Sequence, residues 1–193
     1  MSVAAIILAA GGSRRLGQPK QLLQVHGETL IALTARIARE AGAVPVFVVL
    51  GAEAEKIRAV LSASDVVLVE NTQWQSGLSS SVRAGVEAVE AQSATAQGVL
   101  MMNCDQPRLN ADHLRELIAA FCASANKCVV SSYAGVQGVP AVLPRDLFGE
   151  LKLLTGDKGA KSLFSAHLQS IAAVPFEGGE VDIDTPDDLA HLA

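Results

Sequence analysis

Residues 3–20 read VAAIILAAGGSRRLGQPK: eight apolar residues, then a glycine-rich turn carrying Arg14, Arg15 and Lys20. A strand that is apolar along its whole length is covered on both faces, which is how interior strands of parallel sheets read. Further such runs follow as VPVFVVLG (44–51), DVVLVEN (65–71) and GVLMMNCD (98–105). Between them lie stretches of helical period, at 29–42, 53–61, 78–91 and 111–124. This alternation predicts an α/β fold: a single three-layer Rossmann-like domain over residues 1–193 with a mostly parallel central sheet. Gly42 is placed to stop the first helix and Asn110 to cap the one that begins ADHLREL. Beyond Lys127 the chain supplies KCVVSSYA, GVPAVL (138–143), a polar loop LTGDKGAK (154–161), the strand-like SIAAVPF (170–176) and a closing DIDTPDDLAHLA.

The bulk numbers exclude several classes. A formal charge of -5, from 15 Lys+Arg and 20 Asp+Glu, argues against a broad nucleic-acid surface. Cys104, Cys122 and Cys128 are odd in number and form no close metal-ligand pair, so neither a disulfide framework nor a zinc knuckle is expected. The first apolar run lacks the basic leader of a signal peptide, and no segment has the length of a membrane span. A cytoplasmic protein that makes no use of membranes is the expectation. Without an apolar heptad or a long unpaired edge in the sequence, so is a monomer.

The loop behind the first strand is the most informative feature. Glycines at the carboxyl end of a parallel strand let backbone N–H groups approach an anion closely. Gly12 and Gly17 have P-loop spacing, but Gln18 and Pro19 stand where Lys and Ser/Thr would follow. Pro19 also rules out the dinucleotide fingerprint, which must run straight into a helix. What remains is a row of amide donors over Leu8, Ala9, Ala10, Gly11 and Gly12, the Ser13 hydroxyl, a forked donor at Arg15 and a point charge at Lys20. That set suits a triphosphate.

A triphosphate brings a divalent metal, held by one or two carboxylates and the phosphates themselves. Asp105, behind the buried run GVLMMN, is one candidate. In DIDTPDDL, Asp182 and Asp184 share a face of an extended segment, whereas Asp187 and Asp188 fall in the first turn of a helix opened by Thr185-Pro186, where acids serve the helix dipole. Asn71, Gly77, Ser79 and Ser81, within ENTQWQSGLSSSVRAGV, offer a polar loop and helix start suited to ribose or base, with Trp74 read as packing. His26, His113, His167 and His191 lie outside all these motifs, and no Ser or Cys sits in a nucleophile setting.

The pattern L-A-x-G-x-S-x-R-x-G-x-x-K, carried by Leu8, Ala9, Gly11, Ser13, Arg15, Gly17 and Lys20, resembles the signature of the MobA/MocA-like nucleotidyltransferases, which attach GMP or CMP to molybdopterin. The resemblance extends to the NCDQP, N-x-x-W-x-x-G-x-x-x-S and DIDTP segments, and so runs through most of the chain. It implies the nucleotide-diphospho-sugar transferase type of fold. It also implies Mg²⁺, or alternatively Mn²⁺, on Asp105 and Asp184; catalytic roles for Lys20, Arg15 and Asp105; and acceptor contacts from Gly138, Pro140, Gly156, Asp157, Lys158, Gly159 and Lys161. Lys161 stands where the family carries arginine. LAAG and DIDTPDDL look more like the cytidylyl branch, so CMP transfer from CTP to the terminal phosphate of molybdopterin is the expected reaction. A molybdoenzyme or its chaperone would be the downstream partner. The alternatives are guanylyl or other nucleotidyl transfer, a different phosphorylated acceptor such as a sugar phosphate or methylerythritol phosphate, or a non-catalytic nucleotide-binding maturation factor.

Overall fold

The computed structural model describes residues 2–124, 127–164, 167 and 171–192. The outer residues of two predicted segments, Ser170 and Ala193, lie outside them.

In chain order the elements are β1 (Val3–Leu8), a two-residue hairpin β2 (Gln24–Val25) and β3 (Glu28–Thr29), α1 (Leu30–Glu40), β4 (Val46–Leu50), α2 (Ala54–Val60), β5 (Val67–Glu70), α3 (Leu78–Gln92), β6 (Gly98–Asn103), α4 (Ala111–Ala123), β7 (Cys128–Tyr133), β8 (Val136–Pro144), α5 (Phe148–Lys152), α6 (Lys161–Phe164) and β9 (Ile171–Pro175). Seven strands form one sheet in the order β5-β4-β1-β6-β8-β7-β9. β8 pairs antiparallel with β6 and β7, and the other pairings in this sheet are parallel.

Alternation along each strand sends side chains to two helical layers. Ala5, Ile7, Val48 and Met102 face α1, α2 and α4, whereas Ala4, Ile6, Val49 and Met101 face α3, α5 and α6. Fully burying one such Val, Ile or Leu side chain contributes roughly 1.5–3 kcal/mol, so the three central runs β4, β1 and β6 supply much of the drive to fold. The predicted three-layer architecture is thus present. Asn110 caps α4 by accepting from the His113 amide at 3.0 Å, and Gly42 leaves α1 with φ +88°.

The structure corrects two of these readings and extends a third. The run 65–71 is not covered on both faces, because β5 lies at the sheet edge and its residues are half-buried or exposed. GVPAVL is the core of a longer strand, β8, that runs against its neighbours. The closing segment forms 3₁₀ turns over Pro186–Leu192 in place of an α-helix; no residue of those turns is buried, so they lack the packing that stabilises a full helix.

β1 is flanked by β4 on one side and by β6 on the other, each reached by a separate crossover. The crevice at the carboxyl ends of β1 and β6 is the switch point at which open α/β sheets bind ligands.

Candidate active site

A cleft of about 560 Å³ opens at this switch point. Its walls are the loop after β1, the end of β6, the Trp74–Leu78 turn, Asp157 and Asp184. In the first loop Ser13 adopts φ +46°, and its carbonyl accepts from the Leu16 and Gly17 amides, so the chain turns back after Gly12. Ser13 Oγ accepts from the Lys20 amide at 3.2 Å, which closes the turn onto a 3₁₀ segment at Lys20–Leu22. Gln21 is buried there, and its Nε2 donates to the carbonyls of Ala9 and Gly11, each at 2.8 Å. One side chain thereby ties down the carbonyls on this stretch of the loop.

Four charged side chains meet at the mouth of this loop. Lys20 Nζ donates to Asp105 Oδ2 at 2.6 Å and to Asp184 Oδ1 at 2.9 Å, and Arg15 holds Asp184 Oδ2 at 2.7 Å. Burial acts to lower the Lys20 pKa, but the adjacent Asp105 and Asp184 carboxylates outweigh it and hold the ammonium above the usual lysine range. Partial burial opposes ionisation of Asp184, yet Lys20 and Arg15 together hold it below the usual carboxylate range. Nearby Asp182 moves the other way, up to about 7, through burial and the negative charge of Asp105 and Asp184.

The backbone around Asp184 is held from both sides. The Ile183 amide donates to the Asp105 carbonyl at 2.9 Å, and Asp188 Oδ2 accepts from the Asp184 and Thr185 amides and from the Thr185 hydroxyl. Asp188 is therefore more than a helix-dipole acid: it closes a capping-box-like turn that sets the position of Asp184.

Asp105 Oδ1 is buried without a hydrogen-bond partner among the described residues, leaving acceptor capacity on the carboxylate that faces the cleft. Asp105 and Asp184 form a hard-oxygen pair suited to a divalent cation that takes its remaining ligands from phosphate and water. No group of three or more His, Cys, Asp or Glu positioned to hold a metal occurs among the described residues.

Of the residues predicted from sequence, Leu8, Ala10, Gly11, Gly12, Ser13, Arg15, Lys20, Gly77, Ser81, Asp105, Asp157 and Asp184 line the cleft, as does Trp74. Ala9, Asn71 and Ser79 do not; all three are buried behind its walls. Asn71 Nδ2 donates to Ser80 Oγ and Ser81 Oγ, and its Oδ1 accepts from the Gln73 amide, so this side chain shapes the Trp74 turn from behind. The Ser79 amide donates to the Gly156 carbonyl at 3.0 Å. Gly77, at φ +110°, packs so closely on the Gly156 backbone that a Cβ would collide with it.

The remaining acceptor candidates also lie outside the lining. Gly138 and Pro140 are within β8, where the Tyr133 ring covers Gly138 and the Pro140 carbonyl accepts from Ser131 Oγ. Gly159 packs against Leu78, while Lys158 and Lys161 are exposed. Gln21, Gln75, Leu78, Asn103 and Cys104 line the cleft without having been singled out. Nothing in QPKQLLQ set Gln21 apart from Gln18 and Gln24, whereas Asn103 and Cys104 were readable as neighbours of Asp105. Burial and the nearby Asp105 charge push the Cys104 thiol up to about 12, so it is no nucleophile. No histidine is among the residues lining the cleft.

The arrangement can bind a polyanion and neutralise charge; it offers no nucleophile of its own. Among the described residues, no helix is long and apolar enough to cross a membrane.

Comparison with known proteins is consistent with this chemistry. The purine catabolism protein PucB of Bacillus subtilis (strain 168) is 31% identical, the match covering 95% of this chain and 92% of PucB. Nicotine blue oxidoreductase of Paenarthrobacter nicotinovorans is 29% identical over 98% of this chain and 96% of its own. A probable molybdenum cofactor guanylyltransferase of Opitutus terrae is 30% identical over 91% and 86%, respectively. Among solved structures, Rv0371c of Mycobacterium tuberculosis H37Rv superposes with a TM-score of 0.81 at 34% identity, covering 100% of this chain and 98% of that one. Rv0371c has also been solved in complex with manganese, a structure that matches with a TM-score of 0.76. Residues 5–171 match the MobA-like NTP transferase domain, and the chain belongs to that family of nucleotidyltransferases.

Proposed function

We propose that this protein transfers CMP from CTP to the terminal phosphate of molybdopterin and releases pyrophosphate. The observation that carries the reading is the convergence of Arg15 and Lys20, from the loop after β1, with Asp105 and Asp184 in one cleft at the sheet's switch point.

In this reaction an oxygen of the acceptor phosphate attacks the α-phosphorus of the nucleotide; the new P–O bond forms as the bond to the β-phosphate oxygen breaks. The attacking phosphate is already largely dianionic near neutral pH, its second pKa being about 6, so no general base is required. That fits a cleft without histidine. Catalysis then consists of alignment and charge neutralisation. Amides of the loop from Ala10 to Ser13 receive the phosphate chain, held in shape from behind by Gln21. Lys20 and Arg15 take up negative charge on the β- and γ-phosphates as pyrophosphate forms. Asp105 and Asp184 would hold the divalent cation, Mg²⁺ in this reading, which would supply positive charge to offset that of the phosphates. Trp74, Gln75, Leu78 and Ser81 form the wall open to ribose and base, and Asp157 borders the acceptor side.

Cytidine is favoured by the LAAG and DIDTPDDL motifs. Guanylyl transfer to the same acceptor is the second reading, favoured by the name of the Opitutus terrae relative. The deciding experiment is pyrophosphate release by the purified protein with molybdopterin and Mg²⁺, with CTP, GTP and ATP compared side by side. Release with CTP alone is expected. Release with GTP alone moves the protein to guanylyl transfer, and silence with all three removes molybdopterin as the acceptor.

A further inference from the structure

Lys20 occupies an unusual place for a phosphate-binding lysine. Its ammonium lies within 2.9 Å of both Asp105 and Asp184, the two carboxylates that would hold the metal. A metal such as Mg²⁺ needs carboxylate oxygens at roughly 2.0–2.1 Å in near-octahedral order, so it cannot share the space between these oxygens with an ammonium group. The second oxygen of Asp184 is taken as well, by Arg15. In this state the two carboxylates are neutralised by two side-chain cations, so the pair itself offers a free metal no net negative charge.

The two cations differ in how firmly they are held. The Lys20 side chain is 18% exposed and the Arg15 side chain 71% exposed. Lysine carries its charge on a flexible four-carbon stem, so its head can move several ångströms while its backbone stays fixed by the Ser13 hydroxyl. The polar lining reached by that movement is the loop from Ala10 to Ser13, where the phosphate chain is placed in the reading above.

We propose that Lys20 stands in for the divalent cation between Asp105 and Asp184 in the nucleotide-free protein and surrenders that place when a triphosphate draws its ammonium onto phosphate oxygens. Free metal is thereby held off, and metal enters together with nucleotide. The exchange rests on the nucleotidyl-transfer reading for the identity of the ligand that pulls Lys20 away. It adds a role in the order of binding to the role in charge neutralisation.

The test is Mn²⁺ binding to the full chain, followed through the electron paramagnetic resonance signal of the free aquo ion, with and without CTP. The wild type, Lys20→Gln and Lys20→Arg are compared after their circular dichroism spectra have been matched. Without nucleotide, Lys20→Gln is expected to bind Mn²⁺ at least about tenfold more tightly than the wild type, since a like charge in contact with the ion has been removed, while Lys20→Arg stays weak. Saturating CTP is expected to raise Mn²⁺ affinity of the wild type by at least about tenfold, a comparison that needs no variant. Equal nucleotide-free affinity of wild type and Lys20→Gln, with both tightening on CTP, would overturn the exchange and leave the nucleotide reading standing. Tighter binding by Lys20→Gln with no response of the wild type to CTP overturns the exchange and counts against CTP as the ligand. Absence of Mn²⁺ binding in every arm removes the metal site itself.

Discussion

Asp188 holds Asp184 in place through the backbone: its Oδ2 accepts from the Asp184 amide at 3.0 Å and from the Thr185 amide at 2.7 Å, while the Asp184 carboxylate faces Lys20 and Arg15. Asp188 is not among the residues that line the cleft, so it acts through the turn. Asp188→Ala is expected to lower nucleotidyl-transfer activity by about 10- to 100-fold, the range seen when a group orienting a metal ligand is lost. Asp188→Asn, which keeps one acceptor oxygen, should retain more activity than Asp188→Ala. Equal rates for wild type and Asp188→Ala would remove the positioning role.

Asp105 is expected to contribute charge that a neutral isostere cannot replace. Asp105→Asn should reduce turnover by at least about a hundredfold, the size associated with losing a group that stabilises transition-state charge. Steady-state kinetics of pyrophosphate release provides the check. Unchanged turnover would overthrow the metal assignment and much of the mechanism.

Gln21 is a buried scaffold for the loop after β1. Gln21→Leu removes the Nε2 donor shared by Ala9 and Gly11 and leaves two carbonyls without that partner. A loss of about 1–3 kcal/mol in unfolding free energy is expected, as for other buried polar groups left unpaired. Nucleotide KM should rise together with it. Chemical denaturation and a KM series measure the two effects separately, and an unaltered KM would show that the loop keeps its shape without this side chain.

His113 should impose a pH dependence on stability that is unrelated to the cleft. The Ser131 hydroxyl donates to the Pro140 carbonyl at 2.6 Å, so His113 Nε2, 2.8 Å from Ser131 Oγ, carries the proton of a neutral ring stacked on Phe176. Burial lowers its pKa from 6.5 to about 4. The unfolded chain therefore binds the proton first as pH falls. Stability is full above pH 6.5 and is lost as pH drops toward 4, by about 3 kcal/mol at 1.36 kcal/mol per unit. His113→Gln retains a donor to Ser131 without titrating and should flatten this slope in denaturation experiments at pH 7, 6, 5 and 4. Identical slopes for the two proteins would show that another group controls acid sensitivity.

Much of the loop after β1 was legible because its residue types lie close together in sequence. Gly11, Ser13, Arg15 and Lys20 lie within ten consecutive residues, and their donor types point to a polyanion before any fold is known. Which way Asn71 and Ser79 face was not legible, because a polar residue near a helix start can point either way. Only packing shows that Asn71 turns inward to Ser80 and Ser81. The same holds for Lys158 and Lys161, both exposed, since a positive charge in a loop does not reveal which side of the loop it occupies.

By itself, the sequence determined the central strands β4, β1 and β6, because a continuous apolar run flanked by helical periods has few ways to hide both faces from water. It also determined the glycine-rich turn of the first loop and the basic side chains, Arg15 and Lys20, that the loop carries. Only the tertiary structure decided that β5 and β9 are edges, that β8 runs antiparallel, and that Lys20 lies between carboxylates 85 and 164 residues further along the chain. The physical reason is that strand order depends on which crossovers pack best over the whole sheet, and an ion pair depends on the final positions of atoms that chain spacing does not encode.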